Sequence, residues 1–343
     1  MIRPFDFRDV ALVSQIEHQG TPLCAELALT RRPRPLQSAL AGFFSLNGRG
    51  LRTYVLREEN SATPCCGFIQ MQQRGDDKHG VIAYIAPDLS ANPNAPAIWG
   101  QLLDQAAVQA GRIAIQHLVA EAPEDSEAIE VLQRSGYAIY LRQDILRLVR
   151  TRLTVAAEPR LRPCETRDAW GMQQLYINTA PRLVQQAEGV PQIHRTGAVR
   201  SYVLEENMEI AAYLQMRRGP DSAWFNVCVH SQAESCASNV IQYGLSLFGS
   251  NWNAPIFCGV RRYQEWLRHP LEALGFEPFG SSAVMVKHLV SAILEPELEM
   301  VKMPALESRV KATAPMTRSP SSNFNVEATR EKNPCLSNVL PTI

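Results

Sequence analysis

Neither sign of charge is in excess in this chain: Lys plus Arg number 34, and so do Asp plus Glu. That balance removes the general electrostatic case for binding nucleic acid or an anionic membrane. None of the eight cysteines, at 24, 65, 66, 164, 228, 236, 258 and 335, forms a CxxC pair. Redox dithiol motifs and the common zinc frameworks are therefore missing, and scattered thiols fit reduced side chains in a cytoplasmic protein. His79 and His117 have no acidic or cysteine partner at ligand spacing, so no metal site is expected. Long apolar runs are missing too. Ser281 to Leu294 comes nearest to a membrane span, and Lys287 and His288 interrupt it. The opening Met1-Ile2-Arg3-Pro4-Phe5-Asp6 lacks the apolar core of a signal peptide. Aromatics nearly vanish from the last 49 residues, which hold Phe324 and six prolines. Such a stretch buries too little to offset its ordering entropy, so 295–343 reads as a disordered tail.

What is present repeats. Arg3-Pro4-Phe5-Asp6-Phe7-Arg8-Asp9 returns as Arg162-Pro163-Cys164-Glu165-Thr166-Arg167-Asp168. Tyr54-Val55-Leu56 returns as Tyr202-Val203-Leu204, Gln70-Met71 as Gln215-Met216, and Leu132 to Tyr137 as Leu271 to Phe276. The order is kept while the offset shrinks from 159 to 139, which is the mark of a duplication with shorter loops in the second copy.

Each copy has the same element order. A strand carrying Arg-Pro ends at an Asp placed to cap a helix, Asp9 or Asp168. A polar, proline-bearing stretch follows, 31–35 or 185–195. Strands are expected at 53–57, 66–72 and 81–85, and at 201–204, 210–216 and 223–229, from their β-branched and aromatic content. A long helix comes next. Ile98, Leu102, Leu103, Ala106 and Ala110 share one face in the first copy, with Gly111 as the stop; Val240, Ile241, Gly244, Leu245 and Phe248 repeat the spacing, with Gly249 as the stop. A strand at 117–120 or 256–260, a helix stopped by Gly136 or Gly275, and a closing apolar stretch at 139–149 or 284–290 complete the unit. The reading is an α/β chain with a mixed sheet flanked by helices. It divides into a first domain at 1–149, a linker at 150–160, a second domain at 161–294 and the tail.

This doubled order, with the Arg-Pro openings and the closing helices before Gly136-Tyr137 and Gly275-Phe276, resembles two tandem domains of the GNAT (Gcn5-related) acyltransferase superfamily. The resemblance implies an N-acyltransferase that moves an acyl group from acetyl-coenzyme A, or another acyl-coenzyme A, to a small-molecule or peptide amine. It implies an acyl chain lying where the central strand parts from its neighbour, beside Tyr84, Ile85 and Ala86 in the first copy. The pyrophosphate would then sit at the helix start near Trp99 and Gly100. The family's glycine-bearing loop, [Q/R]-x-x-G-x-[G/A], has no match in 88–97 or 230–239. Leu132 and Leu271 stand where the family commonly places a tyrosine acid. Tyr84 and His230 are the nearest substitutes for a general base. The alternative is a non-catalytic tandem binding protein with both cofactor loops degraded. Arg261-Arg262-Tyr263-Gln264-Glu265-Trp266, after the 256–260 strand, is a further cluster able to hold an anionic or planar ligand.

Overall fold

The computed structural model describes residues 2–44, 51–58, 65–74, 78–149, 161–194, 197–249 and 252–289. The expected linker and tail lie outside the described residues.

The strands are β1 (Ile2–Pro4), β2 (Thr21–Pro22), β3 (Leu51–Glu58), β4 (Cys65–Gln73), β5 (His79–Ala86), β6 (His117–Pro123), β7 (Ala138–Leu148), β8 (Leu161–Pro163), β9 (Val199–Glu206), β10 (Glu209–Arg218), β11 (Ala223–Val229), β12 (Ile256–Arg261) and β13 (Glu277–His288). The helices are α1 (Val10–Ile16), α2 (Ala25–Thr30), α3 (Pro35–Phe44), α4 (Ala95–Arg112), α5 (Ala128–Arg134), α6 (Ala169–Thr179), α7 (Arg182–Glu188), α8 (Ala237–Ser246) and α9 (Arg268–Ala273). Residues 1–293 form one unit.

The repeated opening motif is an electrostatic clasp. Asp9 and Asp168 stand at the N-cap positions of α1 and α6, as the sequence predicts, and a 3-10 turn with Asp6 or Glu165 at its own N-cap precedes each. Asp9 and Asp168 close the capping box from the third position and accept the backbone N–H of Asp6 at 3.0 Å and of Glu165 at 2.7 Å. Both guanidinium nitrogens of Arg3 bond Asp9, at 2.8 and 2.7 Å; those of Arg162 bond Asp168 at 2.7 and 2.8 Å. The Arg, the first acid and the final Asp of the repeat are thus all fixed by one bidentate pair and one cap.

Helix α4 buries Ile98, Leu102, Leu103, Ala106 and Ala110, the face that the spacing specified, and Trp99 with them. Gly111 does not stop it. The helix runs to Arg112, and the reversal falls at Ala114, with φ of 62°. The pull comes from Ile115, which is fully buried and donates its N–H to Ala110 O at 3.0 Å. The expected stops do operate at α5 and α9: Gly136 and Gly275 take φ of 83° and 90°, open to glycine at little cost.

Among the described residues one sheet runs β1-β3-β4-β5-β6-β13-β7-β12-β11-β10-β9-β8, with β2 paired to β5. The closing strands are exchanged between the halves. β13 lies between β6 and β7, with Ala283 opposite both Ala122 and Arg142, while β7 lies beside β12, with Leu148 opposite Ile256. The cores follow the strands. Met285 is fully buried in the first half's core with Trp99 and Leu102; Leu146 and Leu148 of β7 pack in the second half's core with Phe225 and Ile241. Burying a side chain such as Met285 stabilises by about 1.5–3 kcal/mol, so each half draws part of its stability from the other's last strand. A third cluster, with Val81, Val119, Tyr176, Val184 and Val284, joins elements of both halves.

Candidate active site

The sheet contains two parallel strand pairs, one per half, and each pair parts along its length. β5 and β6 run together from His79/His117 to Val81/Val119; β11 and β12 run together from Ala223/Ile256 to Phe225/Cys258. Beyond those points backbone groups on the facing edges need partners. In the first half the chain supplies them itself. Thr21 and Pro22 of β2 lie opposite Ile85 and Tyr84. Leu23 N–H bonds Ala83 O at 3.1 Å, and Glu121 N–H bonds Leu23 O at 2.8 Å, so residues 21–23 bridge β5 to β6. Around this bridge the Tyr84 hydroxyl donates to Glu17 O at 2.6 Å and accepts Gly20 N–H at 3.1 Å. Asp88 accepts Thr21 Oγ1 at 2.5 Å, and its carboxyl sits below the usual range: burial opposes this, but bonds from Ser90 and Thr21 outweigh it. In the second half no strand enters the gap among the described residues. Gln264 reaches across it, Nε2 to Val229 O at 3.5 Å.

The second gap opens on a cavity of about 370 Å³ between the halves. Its wall includes Asn226, Val227, Cys228, Gly259, Arg261 and Gln264 from the second half, and Cys24, Glu26, Arg74 and Glu121 from the first. Arg261 pairs with Glu188 at 2.7 Å and bonds the Tyr263 hydroxyl at 3.0 Å. The Tyr140 hydroxyl donates to the other oxygen of Glu188 at 2.8 Å. Burial works to raise the Glu188 carboxyl, but the Arg261 and Arg74 cations hold it below the ordinary carboxylate range. Arg217 pairs with Glu26. Glu121 accepts Gln143 Nε2 at 2.6 Å, Ser282 Oγ at 2.5 Å and Ala25 N–H at 2.9 Å. Burial pushes the Cys24 thiol up to about 12 and raises Cys228, so both thiols stay protonated at neutral pH. Burial, with Arg217 nearby, lowers the His194 pKa and leaves that imidazole neutral at pH 7.

No family model matches the sequence, and no curated protein matches it significantly. Solved structures do match in fold. A GCN5-related N-acetyltransferase from Sphaerobacter thermophilus aligns over 84% of this chain and 95% of its own, with a TM-score of 0.53 at 10% identity. A tandem GNAT protein from the clavulanic acid biosynthesis pathway aligns over 84% of this chain and 98% of its own, with a TM-score of 0.50 at 15% identity. The chain has a tandem GNAT fold.

Within that GNAT frame the residues singled out by sequence fall in different surroundings. Ile85 and Ala86 are fully buried, and the edge of β5 on which they lie is taken by β2. Tyr84 is buried with its hydroxyl committed twice, and burial pushes its pKa up to about 12. Trp99 points into the core and donates Nε1–H to Pro87 O at 2.7 Å. Gly100 faces open space: a Cβ built there meets nothing within 4 Å. His230, at the end of β11, accepts the Gln232 N–H on Nδ1 at 3.2 Å and caps the following turn. Leu132 and Leu271 are fully buried core residues. The Arg261 cluster divides: Arg261, Tyr263 and Gln264 line the cavity, while Arg262 pairs with Glu124 at 2.8 Å and Trp266 packs on the core. Arg74, Glu121, Glu188 and His194 are cavity residues that sequence reasoning missed. They stand on four separate segments with no shared spacing, and only the fold brings them to one wall.

Proposed function

We propose that this chain is an acyl-coenzyme A-dependent N-acyltransferase that works in its second half, with the amine acceptor seated in the central cavity. The observation that carries the reading is the gap between β11 and β12, which opens on a cavity lined with charged side chains. The acyl chain would lie along the edge of β11 at Val227 and Cys228. The pyrophosphate would meet the start of α8 near Ser235, Ser238 and Asn239, where the helix dipole favours an anion. In the transfer, the amine nitrogen bonds to the thioester carbonyl carbon, the carbon–sulfur bond breaks, and the amine's proton leaves as the thiolate takes one up. His194, neutral at pH 7, is a cavity group able to accept the amine proton. A thiolate of ordinary pKa, about 8.5, departs without a dedicated acid, which fits the leucines at 132 and 271.

Calorimetry with acetyl-coenzyme A on the whole chain tests this. Ser238→Glu places a carboxylate on an exposed position of the α8 start, complementary to the dipole but repulsive to a pyrophosphate. Loss of binding in Ser238→Glu, with Gly100→Glu binding like the parent, is the expected result. The reverse pattern would move the donor to the first half. No binding to the parent would leave the second reading, a non-catalytic tandem binding protein. The bridge of 21–23 across the first gap, and the lack of a glycine in the loops at 88–97 and 230–239, favour that reading.

A further inference from the structure

Two of the repeated motifs build a clamp in each half. The residue before Tyr-Val-Leu, Thr53 or Ser201, lies opposite the Gln of Gln-Met, Gln70 or Gln215, on the neighbouring strand. In the first half Gln70 is buried, and its Nε2 bonds Thr53 Oγ1 at 3.0 Å and Pro35 O at 2.8 Å. That clamp ties the start of α3 to the sheet. In the second half Tyr213 lies opposite Val203, where the first half has Phe68 opposite Val55. The added hydroxyl takes over the centre of the clamp. Tyr213 Oη accepts Gln215 Nε2 at 3.1 Å and donates to Gln192 O at 3.1 Å. Its one proton is thereby used, so Ser201 is the donor in the 3.1 Å contact between Ser201 Oγ and Tyr213 Oη. Ser201 in turn accepts the His194 N–H on Oγ at 3.1 Å and donates its own N–H to His194 O at 2.8 Å.

The two clamps hold different cargo. Residues 189–194, between α7 and β9, have no regular structure, so their backbone groups need partners outside a helix or ladder. Ser201 binds both backbone groups of His194, and Tyr213 binds the carbonyl two residues earlier. These bonds offset the entropy lost in fixing a loop residue. Gln192 and His194 both line the cavity. The His194 ring is half-buried, and the charges that act on it are Arg217 and Glu26, which pair with each other. In the first half the clamp anchors a helix start; in the second it anchors a titratable ring at the cavity wall.

We propose that Ser201 and Tyr213 are positioning residues that hold the His194 imidazole at the cavity wall, where it takes the acceptor's amine proton. This deepens the transferase reading above and rests on it.

The test is NMR on the whole chain with ring-labelled histidine, titrated through the histidine range. His194→Gln assigns the His194 signal among the seven histidines. In the parent that signal should titrate below the ordinary value of about 6.5, as burial and Arg217 require. Tyr213→Phe installs the first half's residue and removes only the hydroxyl. It should move the His194 midpoint up toward the ordinary value, and so should Ser201→Ala. Ser201→Thr, again the first half's residue, keeps a hydroxyl and should titrate like the parent. Thr53→Ala opens the other clamp and should leave His194 unchanged, whatever it does to stability. If neither Tyr213→Phe nor Ser201→Ala moves the His194 midpoint, or if Thr53→Ala moves it as far, the proposal fails. Should Tyr213→Phe not fold, Ser201→Ala decides by itself. A His194 signal that responds as expected in a chain that binds no acetyl-coenzyme A would leave the clamp standing and sink the transferase reading alone.

Discussion

The two halves open with the same clasp and part their strands at the same place, yet one gap is closed and the other is not. The cause is local. In the first half α1 ends at Ile16, and Gln19 to Leu23 are left to run between β5 and β6. In the second half α6 continues to Thr179, and α7 begins at Arg182. The longer helix consumes the residues that would have formed a bridge. After the duplication one gap became structure, and the other was left facing a cavity that both halves line.

The harshest way to break this comparison is to separate the halves. Residues 1–149 and 161–293 expressed apart each lack the other's closing strand, so neither should show a cooperative thermal transition by circular dichroism. Mixing or co-expressing them should restore one. Next comes the bridge. Leu23 is fully buried and bonds both flanking strands, so Leu23→Ala should lower stability by about 2–5 kcal/mol in denaturant unfolding. Pro181→Ala, at an exposed position in the corresponding connection, should cost under about 0.5 kcal/mol. Equal losses would mean that the bridge is not a special feature of the first half.

The clasps offer a pH handle. Bonds from Arg162 come first among the causes that hold the Asp168 carboxyl below its ordinary value, with burial opposing them. The unfolded chain therefore binds that proton more readily. The stabilisation is present above the ordinary carboxyl range and is lost as pH falls from there through the lowered folded value. Asp168→Asn should lower stability at pH 7 by about 1–3 kcal/mol, and the loss relative to the parent should shrink in acid. A difference that stays constant with pH would show that the charge plays no part.

The smallest effects contrast glycines on the long helices. A Cβ on Gly244 of α8 would stand 2.5 Å from Leu214 and 2.6 Å from Phe225, so Gly244→Ala should destabilise by about 1–3 kcal/mol. Gly100 of α4 has nothing within 4 Å, and Gly100→Ala should stabilise by up to about 1 kcal/mol. If both variants stabilise, α8 does not pack as tightly on its sheet as described.

The repeat, the element order and the mixed sheet were legible because each rests on local signals: apolar period, turn residues and the clasp of Arg3 with Asp9 and Arg162 with Asp168. Arg261 stood out in the sequence because it follows a strand beside aromatics, and the structure places it on the cavity wall, paired with Glu188. Strand partners were not legible. β7 and β13 are apolar enough to pair with any neighbour, and nothing in their period says whose edge they join. The bridge was missed because Thr21-Pro22-Leu23 is too short to carry a strand pattern, and its partner edges lie far along the chain. Gly111 misled because a helix tolerates glycine when the next apolar anchor, here Ile115, lies beyond it. Arg74 could not have been found by spacing: its companions Glu26, Tyr140 and Glu188 share no segment with it.

The exchange of closing strands also sets the order in which this protein can be finished on the ribosome. β13 emerges after every other described strand, so the nascent chain holds an unfilled slot between β6 and β7 until residue 288 has left the exit tunnel. Open strand edges invite pairing with other chains. A truncated product that stops before β13 would keep that slot and could accept the β13 of a neighbouring copy, a route to domain-swapped assemblies.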